Sequence, residues 1–274
     1  MSLLQSIVLG IVQGLTEFLP ISSSAHLRII PAFFGWSDPG AEFTAIIQLG
    51  TMAAVVIYFR RDLWNVATTW FRSLTRPRLR ADLNARMGWY LIIGTIPIGI
   101  IGFLFRHQIE TGARSLYLMG IMLIVLGLLL GAADALGSKK RPVESVTRKD
   151  AIVVGLAQAL ALIPGVSRSG ATITAGLMMG FDREAAARFS FLLSVPAIVL
   201  SGLYELAKEL GGSGSMDAGF GSVVVATVVS FIVGYASIAF LLRWLSKHGL
   251  HIFVVYRVAL GLSVLILAGS GAIT

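Results

Sequence analysis

The chain has 274 residues, of which 56% are hydrophobic and only 13% are charged, and it contains no cysteine. Soluble domains carry about 25% charged residues, so this composition indicates a membrane protein, and the missing cysteines exclude disulfides and thiolate metal sites. The formal net charge is +8, but the positive residues fall between apolar stretches. That placement is typical of membrane topology rather than of nucleic acid binding, and no nucleic acid partner is expected.

The first predicted element is an interrupted apolar segment at residues 1–34. Its start has no basic region and no small-residue cleavage site, so we expect it to belong to the mature protein. Pro20 and a run of three serines break the segment near its middle, and continuous helices tolerate such residues poorly. We predict a re-entrant hairpin, two short helices joined by a serine-rich loop at membrane depth, where protein or a wet cavity must surround irregular backbone.

Six apolar stretches are long enough, or nearly long enough, to cross a bilayer as helices, which takes about 20 residues. Three follow the first hairpin, at residues 43–59, 87–105 and 115–134. A second interrupted segment then precedes three more spans, and these four lie at residues 150–180, 189–207, 221–242 and 252–272. The predicted fold is an all-α polytopic membrane protein, a single domain with six transmembrane helices and two re-entrant helical hairpins. The arginine-rich stretch 60–86 is interpreted as a solvated loop that contacts anionic lipid headgroups.

The two interrupted segments resemble each other at a constant offset of 145 positions. The matched pairs are Gly10 with Gly155, Gln13 with Gln158, Leu15 with Leu160, Ser22 with Ser167, and Ser24 with Ser169. This internal repeat divides the chain into residues 1–135 and 150–272. Because each half contains three spans, an odd number, the halves must be inverted relative to each other. The hairpin tips are then expected to meet near the midplane, where such folds place their sites.

The distribution of charge agrees with this inverted topology. The predicted loops on one side of the membrane hold sixteen lysines and arginines, against three on the other side. The side rich in positive charge is expected to be cytoplasmic, which places both termini outside the cell. An alternative topology with eight full spans would also put the loops 60–86 and 135–150 on one side, so charge does not distinguish the two topologies. The breaks in the two interrupted segments favour the re-entrant arrangement.

Gln13 and Glu17 lie four residues apart and share one face of the first short helix. Polar groups at membrane depth are functional candidates, and the oxygens of these two side chains suit a hard divalent cation, Mg²⁺ or Ca²⁺. Two other interpretations stay open. Glu17 could pair with an arginine inside the bundle, and Gln13, which Gln158 repeats, could form a packing hydrogen bond.

Ser22, Ser23 and Ser24 closely follow Pro20, and His26 lies two residues further on. A hydroxyl near an imidazole can form a nucleophile–base pair. Serines in this position can also cap the second short helix with their side-chain oxygens. Both roles can hold at once, with one serine capping and another reacting.

Arg168 lies between Ser167 and Ser169 at the predicted tip of the second hairpin. An arginine at membrane depth needs an anionic partner, and its planar fork matches phosphate oxygens, so the partner is either Glu17 or a phosphorylated substrate. Backbone N–H groups of residues 165–170 would add to anion binding. Arg257, inside the last span, is expected to have a structural partner. Together these groups indicate chemistry on a phosphorylated amphiphile.

The candidate residues belong to two longer motifs, QGLTEFLPISSSAH from Gln13 to His26 and PGVSRSGAT from Pro164 to Thr172. Both motifs, their spacing and the hydropathy pattern resemble the undecaprenyl-diphosphatase family, also called bacitracin-resistance proteins, over the whole chain. The resemblance implies hydrolysis of undecaprenyl diphosphate to undecaprenyl phosphate and inorganic phosphate. This reaction recycles the lipid carrier for peptidoglycan synthesis and implies tolerance to bacitracin. The resemblance also implies a bacterial plasma-membrane protein whose site opens to the outer face.

The resemblance implies a divalent cation, Mg²⁺ or Ca²⁺, but the motif departs from the usual pattern. Two glutamates four residues apart are usual in the family, whereas this chain has Gln13 and Glu17, and Thr44 stands where a further glutamate is common. We expect Glu17 and Gln13 to hold the cation. The residues expected to be catalytic are Glu17, Ser23, His26 and Arg168, and those expected to bind substrate are Ser22, Ser24, Ser167, Ser169, Gly170 and Thr172.

The mechanism leaves two routes open. Either Ser23, activated by His26 or Glu17, attacks the terminal phosphorus, or it positions a water that does; His26 then protonates the leaving oxygen. Two other functions also stay open, because inverted repeats with broken helices are typical of transporters. The chain could move a polyprenyl phosphate without cleaving it, or bind lipid without catalysis. The expected partners are a polyprenyl diphosphate and membrane lipids. The sequence leaves open whether the chain forms a homodimer.

Overall fold

A computed structural model of the chain describes residues 1–105, 115–210 and 220–273, and the side chains of residues 41, 42, 201–210 and 220 lie outside that description. The described residues form helices joined by short turns, with three short 3₁₀ helices and one isolated β-bridge. The α-helices are, in chain order, α1 (Leu3–Phe18), α2 (Ser23–Phe33), α3 (Gly40–Tyr58), α4 (Arg60–Thr75), α5 (Leu83–Leu104), α6 (Leu116–Leu136), α7 (Arg148–Ala159), α8 (Arg168–Met178), α9 (Arg183–Leu210), α10 (Phe220–Leu245) and α11 (His251–Gly269).

Four of the described helices are long and apolar enough to cross a membrane, namely α5, α6, α10 and α11. They coincide with four of the six predicted spans, 87–105, 115–134, 221–242 and 252–272. A fifth candidate needs α3 and α4 together, and these two helices are bent by 75° where they meet. The remaining predicted span falls on α9, which does not meet the same test over its described residues. Over its described residues the chain is therefore helical, with the four or five candidate spans of a multi-pass membrane protein.

Both interrupted segments contain a break between two short helices. α1 ends at Phe18 because Leu19 turns to an extended conformation, with φ −65° and ψ 140°, and Pro20 follows. α7 leads through one turn of 3₁₀ helix to Ile163, which is also extended, with φ −84° and ψ 120°. Pro164 comes next. In each case an extended residue followed by proline stops the helix, because proline cannot continue the hydrogen-bond ladder.

Ser22 and Ser167, the residues just before α2 and α8, both have positive φ angles, of 79° and 70°. Residues with a side chain rarely adopt this conformation, which costs roughly 1–3 kcal/mol and persists only where the surroundings enforce it, most often at functional sites. The internal repeat matches these two serines with each other. The same rare turn therefore starts the second short helix after each break.

The helices before the two breaks pack closely on neighbouring helices. α1 packs on α10 and α7 packs on α5, while α6 packs on α11. A Cβ on Gly10 would lie 2.6 Å from the carbonyl oxygen of Ala226, and a Cβ on Gly155 would lie 2.5 Å from that of Gly94. Gly10 and Gly155 are matched by the repeat. Each allows two backbones to approach, which is how small residues pack helices in membranes.

Replacing Gly155 by alanine is expected to lower the free energy of unfolding by about 1–3 kcal/mol, because the added methyl group would overlap the backbone of α5. Thermal unfolding of the purified protein in detergent measures this. Gly99→Ala is the matched control, since Gly99 also lies inside a helix but a Cβ there meets nothing within 4 Å. Alanine is the better helix former by about 1 kcal/mol, so this control should be as stable as wild type or more stable. Equal stability of the two variants would contradict the close packing of α5 on α7.

The interpretation of residues 60–86 as a loop is wrong. Residues 60–75 form α4, and residues 77–81 form a 3₁₀ helix. Val66 and Ser73 recur at helical spacing on the buried side of α4. Between them, Trp70 packs on Gly88 of α5, where a Cβ would lie 2.8 Å from the indole. Most of the arginines are exposed. Because they outnumber the residues that pack, the helical spacing of those few residues is hard to see in the sequence.

Candidate active site

The two helix breaks meet at an ion pair between Glu17 and Arg168. Glu17 lies in the last turn of α1, and Arg168 is the first residue of α8. The Arg168 guanidinium donates through Nη2 to Glu17 Oε1, and both side chains are largely buried. A buried ion pair is costly unless its charges are well compensated. In the structure the predicted carboxylate and arginine lie together, and each compensates the charge of the other.

The second oxygen of Glu17 contacts the serine run and Gln13. Ser23 Oγ donates to Glu17 Oε2 over 2.7 Å, and Gln13 Nε2 donates to the same oxygen over 3.1 Å. Gln13 Nε2 also lies 3.3 Å from Thr51 Oγ1 of α3. A carboxylate this close to a hydroxyl can accept its proton. Of the two bases considered for Ser23, the geometry therefore favours Glu17.

His26 is buried in the first turns of α2 and is held at both ring nitrogens. Nδ1 lies 2.7 Å from the carbonyl oxygen of Ser22, and Nε2 lies 2.7 Å from the hydroxyl of Tyr256 in α11. Because a carbonyl only accepts, Nδ1 must carry the hydrogen, and Nε2 of the neutral ring then accepts from Tyr256. The structure therefore pairs Ser23 with Glu17 and His26 with Tyr256, where the sequence suggested a serine–imidazole pair.

The remaining serines form the same pair at both tips. Ser22 Oγ lies 3.3 Å from Ser24 Oγ, and Ser167 Oγ lies 3.2 Å from Ser169 Oγ. Ser24 Oγ accepts from the backbone N–H of Gly165 in the second loop over 3.3 Å. Ser169 Oγ donates in the other direction, to a carbonyl of the first loop, over 3.2 Å. These reciprocal bonds hold one loop against the other.

Gly170 and Thr172, which were also predicted to contact substrate, lie in the first turns of α8. The Gly170 N–H donates to Ser167 Oγ over 3.1 Å and so caps the helix. Thr172 Oγ1 donates to the carbonyl of Arg168 over 2.7 Å, and it lies 2.6 Å from Ser190 Oγ of α9. In the structure, Gly170 and Thr172 therefore order the tip that presents Arg168.

Arg257 is fully buried in α11 and ties the two loops together. Its guanidinium donates to carbonyl oxygens of both breaks and of α6 over 3.1–3.3 Å, namely those of Pro20, Met122, Leu123, Gly165 and Val166. The expectation that Arg257 has a structural partner is confirmed, and these partners are backbone groups. A Cβ on Gly170 would lie 2.7 Å from Arg257 Nη1, so this charge lies directly behind the tip of α8.

Both helix breaks and all of these residues fall within residues 6–263, which match the family described as "Bacitracin resistance protein BacA". The chain belongs to this family. A protein from a Nocardioides species named undecaprenyl-diphosphatase is 54% identical over 98% of both chains. One of the same name from Thermobifida fusca is 54% identical over 100% of this chain and 93% of the relative. Another, from a Mycobacterium species, is 53% identical over 100% of this chain and 99% of the relative.

Membership of the bacitracin resistance family raises the question of a divalent cation, and the residues around Glu17 fit one that arrives with the substrate. Among the described residues, no group of three or more His, Cys, Asp or Glu side chains could hold a metal ion. Glu17 supplies one carboxylate, and Gln13 Oε1 is buried without a hydrogen-bond partner. Mg²⁺ is usually held by one or two carboxylates together with substrate phosphate oxygens. Glu17 and Gln13 would therefore supply the protein's share of the ligands.

Sequence reasoning missed Tyr256 and the backbone acceptors of Arg257. Tyr256 is one aromatic residue among several in an apolar span, and its contact with His26 joins positions 230 residues apart. Spacing along the chain cannot reveal such a contact. The feature of the sequence that could have located Tyr256 is Arg257, because a charge inside a span must face the bundle interior. The turn of α11 that contains Arg257 and Tyr256 therefore lies beside the two loops.

Proposed function

We propose that the chain hydrolyses undecaprenyl diphosphate to undecaprenyl phosphate and inorganic phosphate. The observation that carries the proposal is a hydroxyl, Ser23, bonded to a carboxylate, Glu17, that also contacts the guanidinium of Arg168. Such a set suits phosphoryl transfer, which needs positioning and charge neutralisation above all. Relatives of full length named undecaprenyl-diphosphatase support the choice of substrate. The reaction recycles the lipid carrier for peptidoglycan synthesis and so implies tolerance to bacitracin.

The proposed topology has six transmembrane helices and two re-entrant hairpins in inverted repeats, residues 1–135 and 150–272. Two observations support it. α1 and α7 pack on helices that occupy equivalent places in the opposite half, α10 and α5, and Ser22 and Ser167 adopt the same rare turn. The excess of positive charge in the predicted loops supports a cytoplasmic side with both termini outside. The site then opens to the outer face of the plasma membrane.

In the proposed reaction, the diphosphate replaces Glu17 as the partner of Arg168. The Arg168 fork binds the terminal phosphate, and the released Glu17 takes the proton of Ser23. Ser23 Oγ attacks the terminal phosphorus, the bond from that phosphorus to the bridging oxygen breaks, and undecaprenyl phosphate leaves. Water then releases inorganic phosphate from the phosphoserine. In the other route, Ser23 positions a water that attacks the same phosphorus.

Other polar groups of the two tips complete the proposed site. His26 supplies the proton that the bridging oxygen gains as it leaves, after Nε2 has taken up that proton from solvent water. A divalent cation, Mg²⁺ or Ca²⁺, supplies charge neutralisation when bound, and Glu17 and Gln13 would hold it together with substrate oxygens. The unpartnered oxygen of Gln13 supports this assignment. The residues proposed to bind substrate are Ser22, Ser24, Ser167, Ser169, Gly170 and Thr172.

Purified protein incubated with undecaprenyl diphosphate, with and without a chelator, tests the proposal. We expect inorganic phosphate to be released, and the release to stop when the chelator is present. Movement of the lipid across a vesicle membrane without phosphate release would instead support a transporter. Binding of the lipid without release or movement would support a lipid-binding protein. Either of these two outcomes would overturn the proposed hydrolysis.

Replacing Ser23 by alanine is expected to slow phosphate release by at least about 100-fold, because the attacking hydroxyl and its contact with Glu17 are lost together. The rate at saturating substrate measures this, and acid-quenched wild-type protein should show phosphoserine by mass spectrometry. Ser263→Ala is the matched control, since Ser263 Oγ donates to a carbonyl of its own helix over 2.9 Å, away from the loops. Near-normal release by Ser23→Ala would exclude Ser23 as the nucleophile and leave direct attack by water.

A further inference from the structure

Tyr256 contacts His26 in two ways, and the reaction proposed above gives it no role. Its hydroxyl lies 2.7 Å from His26 Nε2, and the two rings stack with their centroids 5.6 Å apart and an interplanar angle of 6°. Tyr256 is 43% exposed, whereas His26 is 4% exposed. Tyr256 therefore lies between the buried imidazole and the outside of the helix bundle.

The hydrogen bonds at the two ends of the imidazole define its orientation. Nδ1–H donates to the carbonyl of Ser22, and Nε2 accepts from the hydroxyl of Tyr256, each over 2.7 Å. The ring cannot turn without losing one of these bonds and leaving a buried polar atom unpaired, which is costly. Nε2 has one lone pair in the ring plane, and that lone pair points at the Tyr256 oxygen. A proton taken up at Nε2 therefore lies between the ring and the Tyr256 hydroxyl, and its path to the leaving oxygen runs through that hydroxyl.

The neighbouring residue fixes the position of Tyr256. Arg257 donates to carbonyls of the first break, at Pro20, and of the second break, at Gly165 and Val166. This turn of α11 is therefore tied to both loops. A tyrosine that only anchored α11 near the membrane surface would satisfy its hydroxyl with water or lipid headgroups. The Tyr256 hydroxyl instead donates to a buried ring close to the reacting groups.

We infer that Tyr256 relays a proton from His26 to the leaving oxygen: Nε2–H gives its proton to the Tyr256 oxygen while the Tyr256 O–H gives its own proton to the bridging oxygen. The inference rests on the proposed function and extends it to a residue outside both loop motifs. With Ser22 at Nδ1 and Tyr256 at Nε2, the imidazole already faces the relaying hydroxyl before the substrate binds. Loss of the Tyr256 hydroxyl slows the chemical step more than it weakens substrate binding, because the relayed proton reaches the leaving oxygen only in the transition state.

Tyr256→Phe tests the inference, since it keeps the stacked ring and removes the hydroxyl. We expect kcat for release of phosphate from undecaprenyl diphosphate to fall about 10-fold while KM changes by less than about twofold. Tyr117→Phe is the matched control. Tyr117 is 51% exposed, and its hydroxyl also donates to a protein acceptor, the carbonyl of Ala268 over 3.0 Å, near the far end of α11. This control should have the kcat of wild type.

The His26→Ala background separates an effect that acts through His26 from a general one. Adding Tyr256→Phe to His26→Ala is expected to change kcat by less than about twofold, because a residue that acts through another has no independent effect. A further loss of about 10-fold in that background, or a Tyr256→Phe protein with the kcat of wild type, would overturn the inference while hydrolysis stands. Wild-type protein that releases no phosphate would refute the proposed hydrolysis, and this inference with it.

Discussion

Arg168→Ala is expected to lower kcat/KM for phosphate release by at least about 100-fold, equivalent to roughly 2.7 kcal/mol of barrier. The variant loses the planar fork that binds phosphate oxygens in pairs. It also leaves Glu17 without its partner, so that an uncompensated negative charge lies where the diphosphate must bind. Steady-state rates of purified protein over a range of undecaprenyl diphosphate concentrations measure the loss.

Two further variants show whether the effect belongs to this site. Arg168→Lys keeps the charge without the fork, so its loss is expected to be smaller than that of Arg168→Ala. Arg188→Ala removes an arginine of the same chain from a half-exposed ion pair with Asp62, 2.9 Å away. Such pairs contribute only about 0–1 kcal/mol, so its kcat/KM should be close to that of wild type. Equal losses for Arg188→Ala and Arg168→Ala would show that Arg168 acts only through the fold.

Glu17→Gln is expected to lower kcat by about 1000-fold. The amide has nearly the shape of the carboxylate, but it cannot take the proton of Ser23, and general base catalysis contributes about 10²–10⁴-fold. The change also removes the charge on which Arg168 and a divalent cation depend. Single-turnover release of phosphate from bound substrate measures the chemical step separately from binding.

Glu144→Gln is the matched control for this change, since Glu144 is an exposed carboxylate outside the membrane-spanning helices. It should leave kcat unchanged. Titration with Mg²⁺ then separates the two roles of Glu17. If Glu17 acted only as a ligand of the cation, excess Mg²⁺ would compensate for its loss and restore kcat. Full recovery of kcat in Glu17→Gln would therefore contradict the assignment of Glu17 as the base.

The centre of the site could be predicted because membranes make polar groups conspicuous. Glu17 and Arg168 are charges inside apolar segments, and each lies beside a proline and a cluster of serines. Those features predict a helix break and a functional residue at the same place. The structure has the two breaks in contact, with the carboxylate and the guanidinium paired across them.

The partners of individual side chains could not be predicted, because they depend on contacts between distant parts of the chain. Ser23 and His26 are close in sequence, but Ser23 turns to Glu17 and His26 turns to Tyr256. No local pattern distinguishes a serine that faces the carboxylate from one that faces the imidazole.

The prediction for α4 failed for a different reason. A high density of arginine is typical of a solvated loop, but α4 packs through a few residues such as Val66 and Trp70 and leaves its arginines exposed. A helix at the edge of a membrane protein needs only one narrow packing face. The many charges of the segment hide that face, and only the helical spacing of Val66 and Ser73 indicates it.

Hydrolysis in water enriched with ¹⁸O tests the central claim most directly, because it reports which phosphorus is attacked. Wild-type protein and undecaprenyl diphosphate are incubated in the labelled water, and both products are weighed by mass spectrometry. We expect one ¹⁸O atom in the inorganic phosphate and none in the undecaprenyl phosphate, whether Ser23 or water attacks first. Label in the lipid product, or no release of phosphate, would contradict attack at the terminal phosphorus held by Arg168.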